Sequence, residues 1–302
     1  MENLSQTEIT YTKMLTYITS LSSQYPIFKL STIGRSVLGN EIPAVKVGEG
    51  EHKILYVATH HSLERITSSL LLKFMSELAV FFDEKTKEYN IDSGYIYRSR
   101  TLYFVPMLNP DGVELAVNGL QRDNVIYDRL IQLNPGADFS HWQANARGID
   151  LNHNYNCDFD LYREYANSEG INMPCKSKYP GNAPESEPEI SSLTAFINAL
   201  QPIDYIYSFH TQGEEIYGSY RGKYPDNAKE VGKVLSRLSG YELKTPNEKS
   251  ACYSGLLEWY ISTYNLPAYT IECGRGENPL PPKDLTDIYF TLRKMLFTTL
   301  IL

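Results

Sequence analysis

Apolar residues recur at helical spacing at Met14, Leu15, Ile18 and Leu21, so the pattern predicts a first helix within Thr10–Ser23. Phe28–Val47, punctuated by Gly34-Arg35-Ser36 and Gly39-Asn40, reads as a β-hairpin. Lys53–Ala58 is a short apolar run, the signature of a strand buried on both faces. Ile66, Leu70, Phe74, Leu78 and Phe81/Phe82 then predict a helix of about 20 residues following directly. Thr101–Leu108 is a further strand, and Asn109-Pro110-Asp111-Gly112 after it is a turn signal. Ser186-Glu187-Pro188-Glu189 reads as a capping box opening a helix that carries Leu193, Phe196, Ile197 and Leu200. Tyr205–His210 and Ala268–Glu272 are strands, whereas Asp226–Leu238, Gly255–Tyr264 and a segment after Pro281-Pro282 through Leu292, Met295 and Leu296 are helical.

Strands alternating with helices predict an α/β sandwich around a mixed or largely parallel sheet. No internal repeat and no Pro/Gly/Ser linker divides the chain, so one domain over residues 1–302 is expected. Residues 1–27 would form a helical lead-in and residues 28–302 the core.

Composition narrows the possible functions. Lys+Arg 28 against Asp+Glu 36 gives a net charge of -8, which argues against a phosphate-tracking nucleic-acid binder. No stretch approaches the roughly 18 apolar residues of a membrane helix. The N-terminal segment lacks the apolar core of a secretory signal, so a cytoplasmic location is expected. Cys157, Cys175, Cys252 and Cys273 show no CxxC spacing, and free thiols are expected. Tyrosine is abundant, at 24 of 302 residues, a type that often lines clefts.

In open α/β sheets ligands gather at the carboxyl ends of strands, and three such ends carry chemistry. These are Thr59-His60-His61-Ser62-Leu63-Glu64, Ser208-Phe209-His210-Thr211-Gln212-Gly213 and Tyr269-Thr270-Ile271-Glu272. Two histidines and a glutamate as ligands would leave a fourth zinc position open, as in catalytic sites. Each piece alone is also compatible with a structural histidine, and Glu272 with an ion pair to Arg275. With six histidines in the chain, two of them at strand ends with carboxylates put a metal site on equal terms with the structural reading.

The sequence resembles the zinc carboxypeptidases in five ordered motifs. These are His61-Ser62-Leu63-Glu64, Pro106–Gly112, Gly148-Ile149-Asp150-Leu151-Asn152, Ser208–Gly213 and Thr270-Ile271-Glu272. Ile33–Gly39 is similar to that family's opening hairpin, so the likeness runs from about Ile33 to Pro281. Thr211–Tyr217 and Gly276–Pro281 look most like the bacterial branch, which includes γ-D-glutamyl-L-diamino acid endopeptidases acting on peptidoglycan stem peptides. The resemblance implies a mixed, mostly parallel sheet of about eight strands, one zinc ion held by His61, Glu64 and His210, and Glu272 as general base. It also implies that Asn152 helps hold the substrate's terminal carboxylate.

Departures from the family pattern bear on specificity. His153 stands where the carboxypeptidases carry an arginine that pairs with a C-terminal carboxylate, and a neutral imidazole offers no bidentate fork. Gln143 stands where an oxyanion-stabilising arginine is usual, with only a neutral hydrogen bond to give. Ser250 falls at the family's mobile tyrosine, and Tyr253, three residues along, is the candidate replacement. Arg275 is a candidate for binding substrate carboxylate or for a structural ion pair, and Arg147 and Arg98 are further candidates for a basic pocket. The tyrosine-rich loop Cys157–Asn182 is expected to rim the cleft. The expected activity is hydrolysis of short peptides, favouring the γ-D-glutamyl–diamino acid bond of muropeptides. The alternatives are an exopeptidase releasing C-terminal L-residues and a zinc-retaining peptide-binding protein with little turnover. The sequence leaves the oligomeric state undetermined.

Overall fold

A computed structural model describes residues 4–246 and 253–302. Eight strands form one sheet: β1 (Lys29–Arg35), β2 (Glu41–Val47), β3 (His52–Ala58), β4 (Arg100–Val105), β5 (Tyr205–His210), β6 (Glu215–Tyr217), β7 (Glu242–Lys244) and β8 (Ala268–Glu272). Their spatial order is β1-β2-β4-β3-β5-β8-β6-β7. The central run β4-β3-β5-β8 is parallel throughout, and antiparallel pairs occur at β1/β2, β2/β4 and β8/β6. The sheet is thus mixed and mostly parallel, with helices around it. Among the described residues no helix is long and apolar enough to cross a membrane.

Side chains alternate across the pleat and feed two apolar layers. Ile54, Tyr56 and Ala58 of β3 join Leu102, Phe104, Tyr207 and Phe209 on one face; Leu55 and Val57 join Tyr103, Val105 and Ile206 on the other. The first face is covered by α1 (Tyr11–Gln24), α2 (Ile66–Asp83), α8 (Ala228–Ser239) and α10 (Leu285–Thr299), the second by α7 (Pro188–Leu200) and α9 (Leu256–Tyr264). The lead-in helix α1 contributes Met14, Ile18 and Leu21 to the same layer as Leu70 and Phe74. Aromatic rings form a row across adjacent strands, with centroid spacings of 4.8 Å for Tyr56–Phe104, 5.5 Å for Tyr56–Tyr207 and 5.6 Å for Tyr207–Tyr269. Part of the tyrosine excess therefore builds the sheet rather than a cleft.

Three local expectations change. Asn109-Pro110-Asp111-Gly112 does not reverse the chain but starts α4 (Pro110–Asn118), with Asn109 capping the Gly112 N–H and Pro110 at the first turn, where its missing donor costs nothing. The capping box at Ser186 is not formed. The cap of α7 is Glu187, and the Ser186 hydroxyl is instead engaged by Glu187 and Asn154. Within Cys157–Asn182 the chain forms α6 (Phe159–Ser168), with Tyr162 and Tyr179 buried. Cys157, Cys175 and Cys273 are free thiols, and Cys252 lies outside the described residues.

Candidate metal centre and active-site cleft

Parallel pairing of β3, β5 and β8 brings their carboxyl ends side by side. Ala58 lies opposite Phe209, and Glu272 lies opposite His210. The chain leaves β3 through Thr59, at φ 58°, and the next two residues swing His61 to the head of a short 3-10 turn, Ser62–Glu64. That turn carries Glu64 back beneath His61. Donor atoms of His61, Glu64 and His210 lie within 4.8 Å of one another, and all three residues are buried.

Both imidazoles turn Nδ1 towards one carboxylate. His61 Nδ1 lies 2.9 Å from Glu64 Oε1, and His210 Nδ1 lies 3.0 Å from Glu64 Oε2. Burial works against the ionised Glu64, but the two imidazoles outweigh it and hold its carboxyl below the usual range. Two imidazole nitrogens and a carboxylate converging on one point, with a cleft on the open side, are a donor set suited to catalytic zinc. Behind His61, Asp150 Oδ1 lies 3.0 Å from Nε2. Burial again opposes charge on His61, and Glu64 with Asp150 overcomes it and raises its pKa. Asp150 is itself buried, accepting from Gln143 Nε2 at 2.7 Å and from the Lys178 N–H at 2.9 Å. Carboxylates in this position orient a metal-binding ring and increase its basicity. The motif Gly148–Asn152 was legible in the sequence, but the role of Asp150 was not.

The cleft over this cluster has a volume of about 150 Å³, and His61, His210, Glu272, Asn152, His153 and Tyr253 all line it. Burial and the neighbouring Glu64 charge push the Glu272 carboxyl well above its ordinary value. Asn152 accepts the Leu256 N–H at 3.3 Å and so faces the start of α9. The His153 ring stacks on Tyr162 at 3.7 Å, and its Nδ1 donates to the Tyr253 carbonyl at 3.1 Å. Burial lowers the His153 pKa, leaving the ring neutral. Ser250 lies outside the described residues. Gln143 is half-buried with its amide committed to Asp150, and it does not line the cleft among the described residues.

Arg275 points away. Its side chain is 77% exposed and its Nε lies 2.6 Å from Glu214 Oε2. Arg147 sits 3.6 Å from Glu187, and Arg98 lines a separate cavity with Ile27 and Phe82. Among the described residues the zinc cleft is lined by no lysine or arginine. His60, which neighbours His61, hydrogen-bonds Tyr155 at 2.8 Å and stacks on His210 at 5.2 Å, packing behind the ligand set.

This fold and site define a zinc metallopeptidase of the carboxypeptidase type. Residues 14–289 match the zinc carboxypeptidase family, and the chain belongs to that family, whose members are zinc-dependent. Gamma-D-glutamyl-L-diamino acid endopeptidase 1 of Lysinibacillus sphaericus is 32% identical over 280 residues, covering 92% of this chain and 69% of that protein. The uncharacterized protein YqgT of Bacillus subtilis is 34% identical over 282 residues, 91% of this chain and 73% of its own. Among solved structures, bovine thrombin-activatable fibrinolysis inhibitor shares the fold at a TM-score of 0.72 and 16% identity, covering 99% of both chains. The murein-tripeptide amidase MpaA of Escherichia coli O157 does so at 0.55 and 21% identity, covering 88% of this chain and 91% of its own.

Proposed function

We propose that this metallopeptidase hydrolyses the γ-D-glutamyl–diamino acid bond of short peptidoglycan stem peptides, with His61, Glu64 and His210 holding one zinc ion and Glu272 as general base. Zinc bound there supplies a polarised scissile carbonyl and a water of lowered pKa. With a cation held by His61, Glu64 and His210, the burial and the Glu64 charge that disfavour ionised Glu272 are offset, and its carboxylate then takes a proton and returns it to the leaving amine. Asp150 occupies Nε2 of His61 and so leaves Nδ1 on the side of Glu64 and His210, where the ion would be held. Asn152 and Tyr253 flank the substrate, and Thr270 and Glu272 form the wall of β8 beside them.

The observation that carries the substrate reading is the neutral, Tyr162-stacked His153 in a cleft that, among the described residues, no guanidinium lines. A free C-terminal α-carboxylate would meet no bidentate partner there, which disfavours a generic exopeptidase. The similarity to a γ-D-glutamyl-L-diamino acid endopeptidase supports the same choice.

The test is incubation of the zinc-loaded protein with L-Ala-γ-D-Glu-meso-diaminopimelyl-D-Ala, in which the diamino acid is not C-terminal, and, separately, with a peptide ending in an ordinary L-residue. Release of diaminopimelyl-D-Ala, read by mass spectrometry, is expected. Cleavage of only the second peptide would reject this reading in favour of a metallocarboxypeptidase. Glu272→Gln should retain zinc and lose about 10²–10⁴-fold in turnover; unchanged hydrolysis removes Glu272 from the mechanism.

A further inference from the structure

Among the described residues Glu258 is a buried carboxylate paired with no cation. It lies in the first turn of α9, in the run Leu256-Leu257-Glu258-Trp259-Tyr260-Ile261, and its five neighbours there belong to the apolar layer beneath the sheet. The residue is 8% exposed. Backbone N–H groups of Gly255 and of Glu258 itself stabilise its charge, but the charged side chain that bears most on it is another carboxylate, Asp158. Burial consequently raises its carboxyl to about 7. Helix N-termini favour glutamate, yet that preference is met equally well by a glutamate in water. Burying a carboxylate with no partner charge is costly, and such a group either takes up a proton, as its raised value shows, or is matched by a cation.

The position of Glu258 shows where that cation would come from. Glu258 and Tyr253 line the zinc cleft and also a second, adjoining cavity of about 470 Å³. Ser219 lines the second cavity as well, and its buried hydroxyl has no hydrogen-bond partner among the described residues. The guanidinium on that cavity's wall, Arg221, is held by Asp158 through Nη2 at 2.6 Å and Nε at 3.0 Å, so its charge is already met. Among the described residues the unmatched charge facing the cavity, with Glu258 ionised, is therefore negative, and the unmatched neutral group is a hydroxyl able to accept.

We propose that Glu258, with Ser219, binds the side-chain ammonium of the amino acid on the leaving side of the scissile bond. A side chain running from the zinc cleft past Tyr253 into the second cavity brings its terminal amine to the Glu258 carboxylate. This makes Glu258 the residue that selects a diamino acid over an isosteric apolar one. The proposal rests on the peptidase reading above and sharpens it, because a γ-D-glutamyl bond and an ammonium-bearing leaving residue are separable requirements.

The test uses four peptides: L-Ala-γ-D-Glu linked to L-lysyl-D-Ala or L-norleucyl-D-Ala, and the corresponding pair with an α-linked L-Glu. The readout is the ratio of kcat/KM for lysine over norleucine, in whichever series is cleaved, for wild type and Glu258→Gln. The amide keeps an oxygen for the helix N-terminus and loses the charge. The ratio is expected to fall by about tenfold or more in the variant, mainly through KM, with partial retention in Glu258→Asp. An equal ratio in wild type and Glu258→Gln overturns the proposal. Cleavage confined to the α-linked series overturns the γ-D-glutamyl reading and leaves the ammonium site standing if the ratio still falls. Calorimetric binding of free L-lysine against L-norleucine to the zinc-loaded protein gives a readout independent of turnover. Indistinguishable affinities there would also overturn it.

Discussion

Asp150 and His61 are joined by a 3.0 Å contact between Oδ1 and Nε2, while the opposite ring nitrogen of His61 faces Glu64 at 2.9 Å. Asp150 thereby sets which face of the ring is offered to a metal. Replacing Asp150 with asparagine keeps the size and removes the charge. The expected result is a 10–100-fold weaker zinc affinity in a chelator competition, with the folded state retained. Asp150→Ala should weaken it further, since the Gln143 amide and the Lys178 N–H also lose their acceptor.

Zinc binding should appear directly in thermal stability. A ligand at about 1,000 times its Kd stabilises the folded state by about 4 kcal/mol. Chelation is therefore expected to lower Tm and added zinc to restore it, measured by calorimetry at fixed protein concentration. In His210→Ala, which removes one of the three converging donors, Tm should no longer respond to zinc.

A second buried carboxylate should make stability pH-dependent. Glu189 is buried at the start of α7, accepting from the Val37 N–H at 3.1 Å and from Asn145 Nδ2 at 3.3 Å. Desolvation, then the charge of Asp111, raises its carboxyl from 4.5 to about 8. With the folded pKa above the unfolded one, its contribution is fully present below about 4.5 and is lost as pH rises through about 8. Denaturation of wild type against Glu189→Gln across this window should show the wild type losing stability relative to the variant. Parallel pH profiles would contradict the assignment.

The core offers a control far from the site. Phe74 is fully buried on α2 and meets the rings of Tyr56 at 5.8 Å, Phe104 at 6.1 Å and Phe297 at 5.7 Å. Phe74→Ala should cost about 3–5 kcal/mol in urea denaturation with an unchanged m-value, because the surrounding rings relax only partly into the space. Zinc affinity of the folded variant should match wild type.

Local pattern sufficed where burial is dictated by neighbours in sequence. The apolar run Lys53–Ala58 and the spacing of Ile66, Leu70 and Phe74 could only satisfy a two-sided sheet and a helix packed on it, and they do. Histidines at strand ends are legible for the same reason, since parallel sheets present their carboxyl ends together. Asn109–Gly112 was misread because an asparagine followed by proline serves a turn and a helix cap equally well, and the packing that follows chooses between them.

What the sequence by itself determined was the order of strands and helices, and the residue types able to hold zinc and move a proton. Pairing across the sheet decided the rest. Asp150 lies 89 positions from His61, and nothing local to either residue marks them as partners. Arg275, three residues from Glu272 in sequence, pairs with Glu214 at the surface and does not line the cleft. Glu258 looks in sequence like one more helix-opening carboxylate. Only the packing of α9 against the cleft leaves it buried and, among the described residues, without a cation, because Asn152, Tyr253 and Ser219, distant in sequence or across a loop, line the same cavities.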